Sequence, residues 1–113
     1  MLKYIDFAGI QMKPLLFNLI NQTILPFDNS SMDISVGDKF RISFDNIPFK
    51  NYFIFVTGVT ITNFSNISNK DMFNCGFLYR PSFNSYMKKY KKIESNDSIV
   101  KLDFKVMEID CYD

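Results

Sequence analysis

The chain has 113 residues, of which 47% are hydrophobic, 17% aromatic and 22% charged, and its net charge is +1. That length supports one domain around one core, spanning 1–113, and the charged fraction is too low for a disordered, solvated chain. A near-zero net charge also excludes a basic surface spread over the whole molecule, so a nucleic-acid partner would need a local cluster of cations.

Met1–Phe7 reads as a short strand. Pro14 is placed to open a helix, where its missing N–H is not needed, with Leu15, Leu16, Leu19 and Ile20 as the apolar face and a stop near Asn21. Thr23–Phe27 is extended, and Pro26 restricts it to a sheet edge or a turn. Asp28–Met32 is a polar loop and Val36-Gly37-Asp38 a turn. In Lys39–Phe44 the apolar Phe40, Ile42 and Phe44 alternate with Lys39, Arg41 and Ser43, which predicts a strand with one wet side. Asp45–Asn51 reads as a connection, and Tyr52–Phe64 as a long strand with Gly58 at a bulge. Ser68-Asn69-Lys70-Asp71 matches a capping box that starts a short helix, and Gly76 ends it. Pro81 begins a helix running to about Ile93. Ile99–Ile109 closes the chain as a strand, with Val100, Leu102, Phe104 and Val106 facing in and Lys101, Asp103 and Lys105 facing out.

Several chemistries are removed by composition. There is no histidine, so imidazole ligands and the Ser-His and Cys-His nucleophile pairings are absent. Cys75 and Cys111 read as free thiols, and two sulfurs do not make a zinc site. Neither a metal nor a cofactor is expected. Met1–Phe7 lacks the apolar run of a secretory leader, and no apolar stretch approaches a membrane span, so the expected location is cytoplasmic. The excess of Asn, Ile, Lys and Phe beside one alanine, Ala8, suggests the AT-rich coding of a low-GC bacterium or phage.

The order strand, helix, several strands, two helices, strand resembles the PUA-like superfamily and, within it, the ASCH domains. Three stretches carry the likeness: PLLFNLINQT after the first strand, SVGDKFRISF, and ISNKDMFNCGF followed by SFNSYMKKYKK and SIVKLDFKVMEI. The resemblance implies an α+β fold, a small PUA-like mixed β-barrel with three short helices at its side. It also implies a nucleobase or nucleoside cleft between the first helix and the barrel. ASCH domains typically carry Gly-x-Lys-x-x-Glu-x-Arg in the loop after that helix. Here the Lys position falls at Gln22, the Glu at Leu25 and the Arg at Phe27, while Thr23 matches the family's Thr. A glutamine amide can hold a base edge by hydrogen bonds, but it carries no charge and takes no proton. The leading expectation is therefore a non-catalytic module for RNA or a nucleoside-like ligand, with a pocket that lacks an ionisable amine. A residual acetylcytidine-type amidohydrolase would have to use Thr23 with an acid such as Asp28. A third reading is a small phage or mobile-element protein that binds and inhibits a host protein through an apolar rim at Phe27 and Tyr52.

Two groups of residues are the candidate contacts. Asn21, Gln22 and Thr23 would line the cleft; otherwise they cap the helix or satisfy loop backbone. On the helix from Pro81, Lys88, Lys89, Lys91 and Lys92 could neutralise a phosphate backbone, with Arg80 at the other end and Tyr86 or Tyr90 stacking a base. The plainer reading is a solvated face whose lysines suit the helix dipole. Arg41 is a further possible phosphate contact on the exposed side of its strand.

Overall fold

The computed structural model describes residues 4–28 and 31–108. Its strands are β1 (Tyr4–Phe7), β2 (Gln22–Pro26), β3 (Lys39–Phe44), β4 (Ile47–Asn63) and β5 (Ser98–Glu108), and its α-helices are α1 (Met12–Leu16), α2 (Asn69–Asn74) and α3 (Arg80–Tyr90). The strands form one curled half-barrel sheet in the order β1-β3-β4-β5-β2. Among the described residues only β1 and β3 pair parallel; the other pairs are antiparallel. This is the expected α+β architecture, a curled sheet with three short helices, and it is consistent with a small mixed barrel. Ile109 and Cys111 lie outside the described residues.

Local chemistry explains where elements begin and end. Helix α1 stops at Leu16, earlier than expected, because Asn18 adopts a left-handed conformation (φ 63°). The Leu19 N–H then bonds the Pro14 carbonyl at 2.8 Å, closing the helix end in the manner of a Schellman motif. Leu15 and Ile20 are buried as predicted, but Leu19 is left exposed beyond the stop. Strand β4 starts earlier than expected. Asp45 and Asn46 both take positive φ (50° and 66°), which makes a two-residue hairpin turn between β3 and β4. Pro48, near the strand start, is tolerated there. The bulge at Gly58 is present, as a register shift in the β4–β5 pairing. A Cβ at Gly58 would lie 2.7 Å from Asp103 Oδ2, so the glycine makes room for that carboxylate.

Two apolar cores flank the sheet. Ile5, Phe7, Phe40, Ile42, Ile54, Leu102 and Phe104 form the first. The second joins the sheet to α2 and α3 through Ile24, Ile99, Phe64, Met72, Phe83 and Met87. The helices therefore cover a face of β5 that its alternation marks as wet. Lys101 and Asp103 are half-buried there, as a correction to the expected solvated face, while Lys105 is exposed. Lys101 resolves its burial by pairing with Asp71 of α2 at 3.1 Å. Asp71 also closes the predicted capping box with Ser68. Ser43, too, is buried, donating to Asp6 Oδ1 at 2.6 Å.

Burial alone would raise the Asp71 carboxyl. Hydrogen bonds from Lys101 and Ser68 outweigh it and hold the group below its ordinary value. A depressed carboxyl contributes stability that is present above its unfolded value and lost as the pH falls through the folded one. Acid unfolding followed by circular dichroism should show that loss beginning near pH ~4. Asp71→Asn should be less stable than the parent at neutral pH, and the difference should shrink steadily below that point.

Candidate functional site

Gln22 opens β2 directly opposite Asp103 of β5. Its Nε2 donates to Asp103 Oδ1 at 2.5 Å. That bond fixes the amide's orientation, because the reversed amide would set oxygen against oxygen. Gln22 is only 8% exposed, and among the described residues its Oε1 has no hydrogen-bond partner. An orphaned buried acceptor of this kind is uncommon and costs about 1–3 kcal/mol.

On one side of Gln22 lies an open cleft of about 590 Å³. Asn18, Asn21, Gln22, Asn74, Asp103 and Lys105 supply its polar wall, and Ile20, Phe104 and Val106 its apolar one. The chain is held in place here from both directions. Asn21 N–H donates to the Asn74 carbonyl at 2.9 Å, and the Asn21 carbonyl accepts from Phe104 N–H at 3.0 Å. The left-handed turn at Asn18 carries that residue onto the cleft wall. The charges of Asp103 and Lys105 offset each other, and the carboxamides offer both donors and acceptors. Leu25 packs against the first core and Phe27 is exposed beyond β2, so neither fills this cleft.

On the other side lies a narrow cavity of about 10 Å³, with Asp6, Gln11, Gln22, Thr23, Tyr86 and Lys91 in its lining. That is the space of about one water. Thr23, 6% exposed, is sealed into this wall. Past it opens a second cleft of about 460 Å³, formed by Asp6, Gly9, Asp45, Tyr86, Tyr90 and Lys91. The Tyr86 and Tyr90 rings lie with centroids 5.0 Å apart. Burial raises the Tyr86 phenol and pushes the neighbouring Cys75 thiol up to about 12, which leaves that thiol unreactive.

Lys91 corrects the expectation of a pocket without an amine. It caps the C-terminus of α3 and is half-buried, while Lys88, Lys89 and Lys92 are exposed. Desolvation pulls its ammonium below the ordinary lysine value, and Asp6 opposes the shift only in part. The four lysines therefore do not form one basic face.

The remaining predicted contacts are dispersed. Arg80 Nη2 donates to the Ile67 carbonyl at 3.1 Å and to Asn69 Oδ1 at 2.6 Å. Its guanidinium also lies over the Phe83 ring at 5.7 Å. These contacts tie α2 to α3. Arg41 is half-buried and reaches the Lys50 carbonyl. Asp28 exchanges bonds with Ser31 in a local turn, five residues along the chain from Thr23. An extended chain of that length spans about 16 Å, so the structure does not bring the two together. Tyr52 stacks on Phe49 with centroids 5.5 Å apart, whereas Phe27 is exposed.

Asp6, Asn18, Asn74 and Asp103 were missed by sequence reasoning. For Asp103 the signal would have been its register with Gln22, which alternation does not encode. Lys91 had a visible signal: it lies four residues after the buried Met87, on the same helix face.

No known family model matches the chain, and no curated protein matches its sequence. Solved structures do match its fold. Protein EF3133 from Enterococcus faecalis V583, of the DUF984 family, superposes with a TM-score of 0.75 at 14% identity, covering 96% of this chain and 77% of that one. The hypothetical protein PH0355 gives 0.69 at 16% identity, covering 95% of this chain and 100% of that one. An ASCH domain from Lactobacillus crispatus JV V101 gives 0.64 at 12% identity, with 95% and 81% covered.

The Gln22–Asp103 bond makes a direct prediction. Asp103→Ala leaves the buried Gln22 amide without a partner at either end and should destabilise the protein by about 1–3 kcal/mol. Asp103→Asn keeps an acceptor and should lose less than half as much, both read from urea unfolding midpoints.

Proposed function

We propose that this chain, whose fold is ASCH-like, binds a neutral nucleoside-like ligand in the cleft between residues 18–22 and β5. The observation that carries this reading is the cleft's lining. Asn18, Asn21 and Asn74 line it beside one carboxylate and one ammonium, Asp103 and Lys105. A nucleobase edge alternates donors and acceptors, and a carboxamide matches either. The net charge of the lining is zero, so nothing there favours a phosphate. A volume of about 590 Å³ falls within the usual range of small-ligand sites. Gln22 acts indirectly, by holding the Asp103 carboxylate in one orientation.

Titration of ¹⁵N-labelled protein with cytidine, uridine, adenosine and guanosine tests the reading. At least one nucleoside should shift the side-chain amides of Asn18, Asn21 and Asn74, and its 5′-monophosphate should bind no tighter. Asn74→Ala should weaken binding about threefold to tenfold, the loss of one hydrogen bond. The absence of shifts at these residues with all four nucleosides would end the proposal.

A second reading, RNA binding on α3, draws on the exposed Lys88, Lys89 and Lys92 beside a Tyr90 that is 64% exposed. With Lys91 turned inward, three phosphate contacts replace four. The log-log salt slope on a single strand should then be near −2.1, about a twentyfold affinity loss between 50 and 200 mM salt. Fluorescence anisotropy with a uridine oligomer measures it. An affinity unchanged when all three lysines become glutamine would leave the lysines as a solvated face.

A further inference from the structure

We propose that Lys91 is a carbonyl-reactive amine, whose Nζ condenses reversibly with an aldehyde borne on a planar ring that enters the cleft beside Tyr86 and Tyr90. This site lies across Gln22 from the nucleoside cleft, and the inference stands independently of that reading.

Three features of the geometry converge on Lys91. The first is its position. With Asp6 it is the charged side chain shared by the narrow cavity and the wider cleft, so it stands where the two meet. The second is its lack of a fixed partner. Among the described residues the Lys91 ammonium makes neither an ion pair nor a hydrogen bond, unlike Lys101, which is comparably sheltered but held by Asp71. A paired ammonium is a poor nucleophile; a desolvated, unpaired lysine is the form that adds to carbonyls. The third is the wall that faces it. The tilted Tyr86–Tyr90 pair presents aromatic surface, and Ala8, Gly9 and Ile10 add a small and apolar edge to the cleft. A flat ring fits that arrangement.

The groups around Lys91 come from four elements. Asp6 belongs to β1, Asp45 to the β3–β4 turn, Cys75 to the end of α2, and Tyr86 and Tyr90 to α3 itself. Burial lowers the Lys91 ammonium and outweighs the attraction of Asp6. Asp6, held by the Ser43 hydroxyl and the Asn46 N–H at its Oδ1, lines the same cleft without bonding Lys91, so the proton that the ammonium must shed passes to water in that cleft. The free amine then attacks the carbonyl carbon, forming a C–N bond. The carbonyl oxygen takes up both amine protons, relayed by water in the cleft, and leaves as water. Lysine amine plus aldehyde thus gives imine plus water, with no redox change. The reverse step needs one water, and the narrow cavity next to Lys91 has about that volume.

The test uses the whole chain and benzaldehyde as the probe, below one equivalent, at pH 6.5 with cyanoborohydride to reduce any imine to a stable benzylamine. Peptide mass mapping then reads the modification at each lysine. Lys91 should be modified at least about fivefold faster than Lys88, Lys89 or Lys92, as expected of a desolvated amine among solvated ones. That selectivity should disappear in urea, where all four are equivalent. Lys91→Arg should keep the thermal midpoint and lose the fast-reacting site. Acetaldehyde, which has no ring, should show a smaller preference for Lys91. Equal rates at all four lysines in the folded protein would overturn the proposal, and so would a preference that survives unfolding. An undiminished preference with acetaldehyde would overturn the role of the Tyr86–Tyr90 wall.

Discussion

The antiparallel pairing of β2 with β5 is the constraint from which the rest follows. It places a short edge strand beside the last strand of the chain and sets Gln22 against Asp103. With β4 on its other side and helices over one face, β5 loses much of its water between Ile99 and Phe104. Its polar residues must then be satisfied from within. Lys101 is satisfied by Asp71, and Asp103 by the Gln22 amide. The two solutions are not equivalent. A carboxylate and an ammonium complete each other. An amide that spends its donor on Asp103 keeps an unmatched acceptor, and the fold carries that deficit of about 1–3 kcal/mol beside its clefts. The bulge at Gly58 belongs to the same constraint, because a side chain there would displace the Asp103 carboxylate.

Much of this was readable in the sequence, for reasons that are local. The alternation of Phe40, Ile42 and Phe44, the capping box at Ser68 and Asp71, the stop at Gly76 and the bulge at Gly58 each depend on residues within a few positions of one another. The departures share a different cause. The stop of α1 depends on Asn18 adopting a left-handed conformation, which asparagine tolerates but does not announce. The start of β4 depends on two consecutive positive-φ residues, Asp45 and Asn46, whereas Pro48 argued for a break. The burial of Lys101 and Asp103 depends on helices that arrive from elsewhere in the chain. Alternation along β5 identifies two faces, but it cannot say that the polar one is covered. The candidate site divides in the same way. Asn21 and Gln22 were found because they follow the first helix. Asp103 and Asn74, which complete that cleft, come from distant segments.

The fate of the lysine cluster shows how little separates a solvated face from an interior amine. Lys88, Lys89, Lys91 and Lys92 occupy one helix end, and by composition they are a single basic patch. The chain reverses at Lys92, which takes a positive φ of 58°. That reversal brings the Ile93 N–H to the Met87 carbonyl at 3.0 Å, and Lys91 N–H shares the same acceptor at 3.1 Å. Ile93 is thereby buried at 2% exposure. Burying an isoleucine is worth about 1.5–3 kcal/mol, and this gain draws the preceding turn inward. Lys91, four residues after the buried Met87, is carried along with it. The desolvation of an amine is in this sense a by-product of hydrophobic packing at the helix end. What gives the by-product chemical meaning is that the same packing leaves the amine facing a cleft with aromatic surface on its wall, rather than sealing it against carbon on all sides.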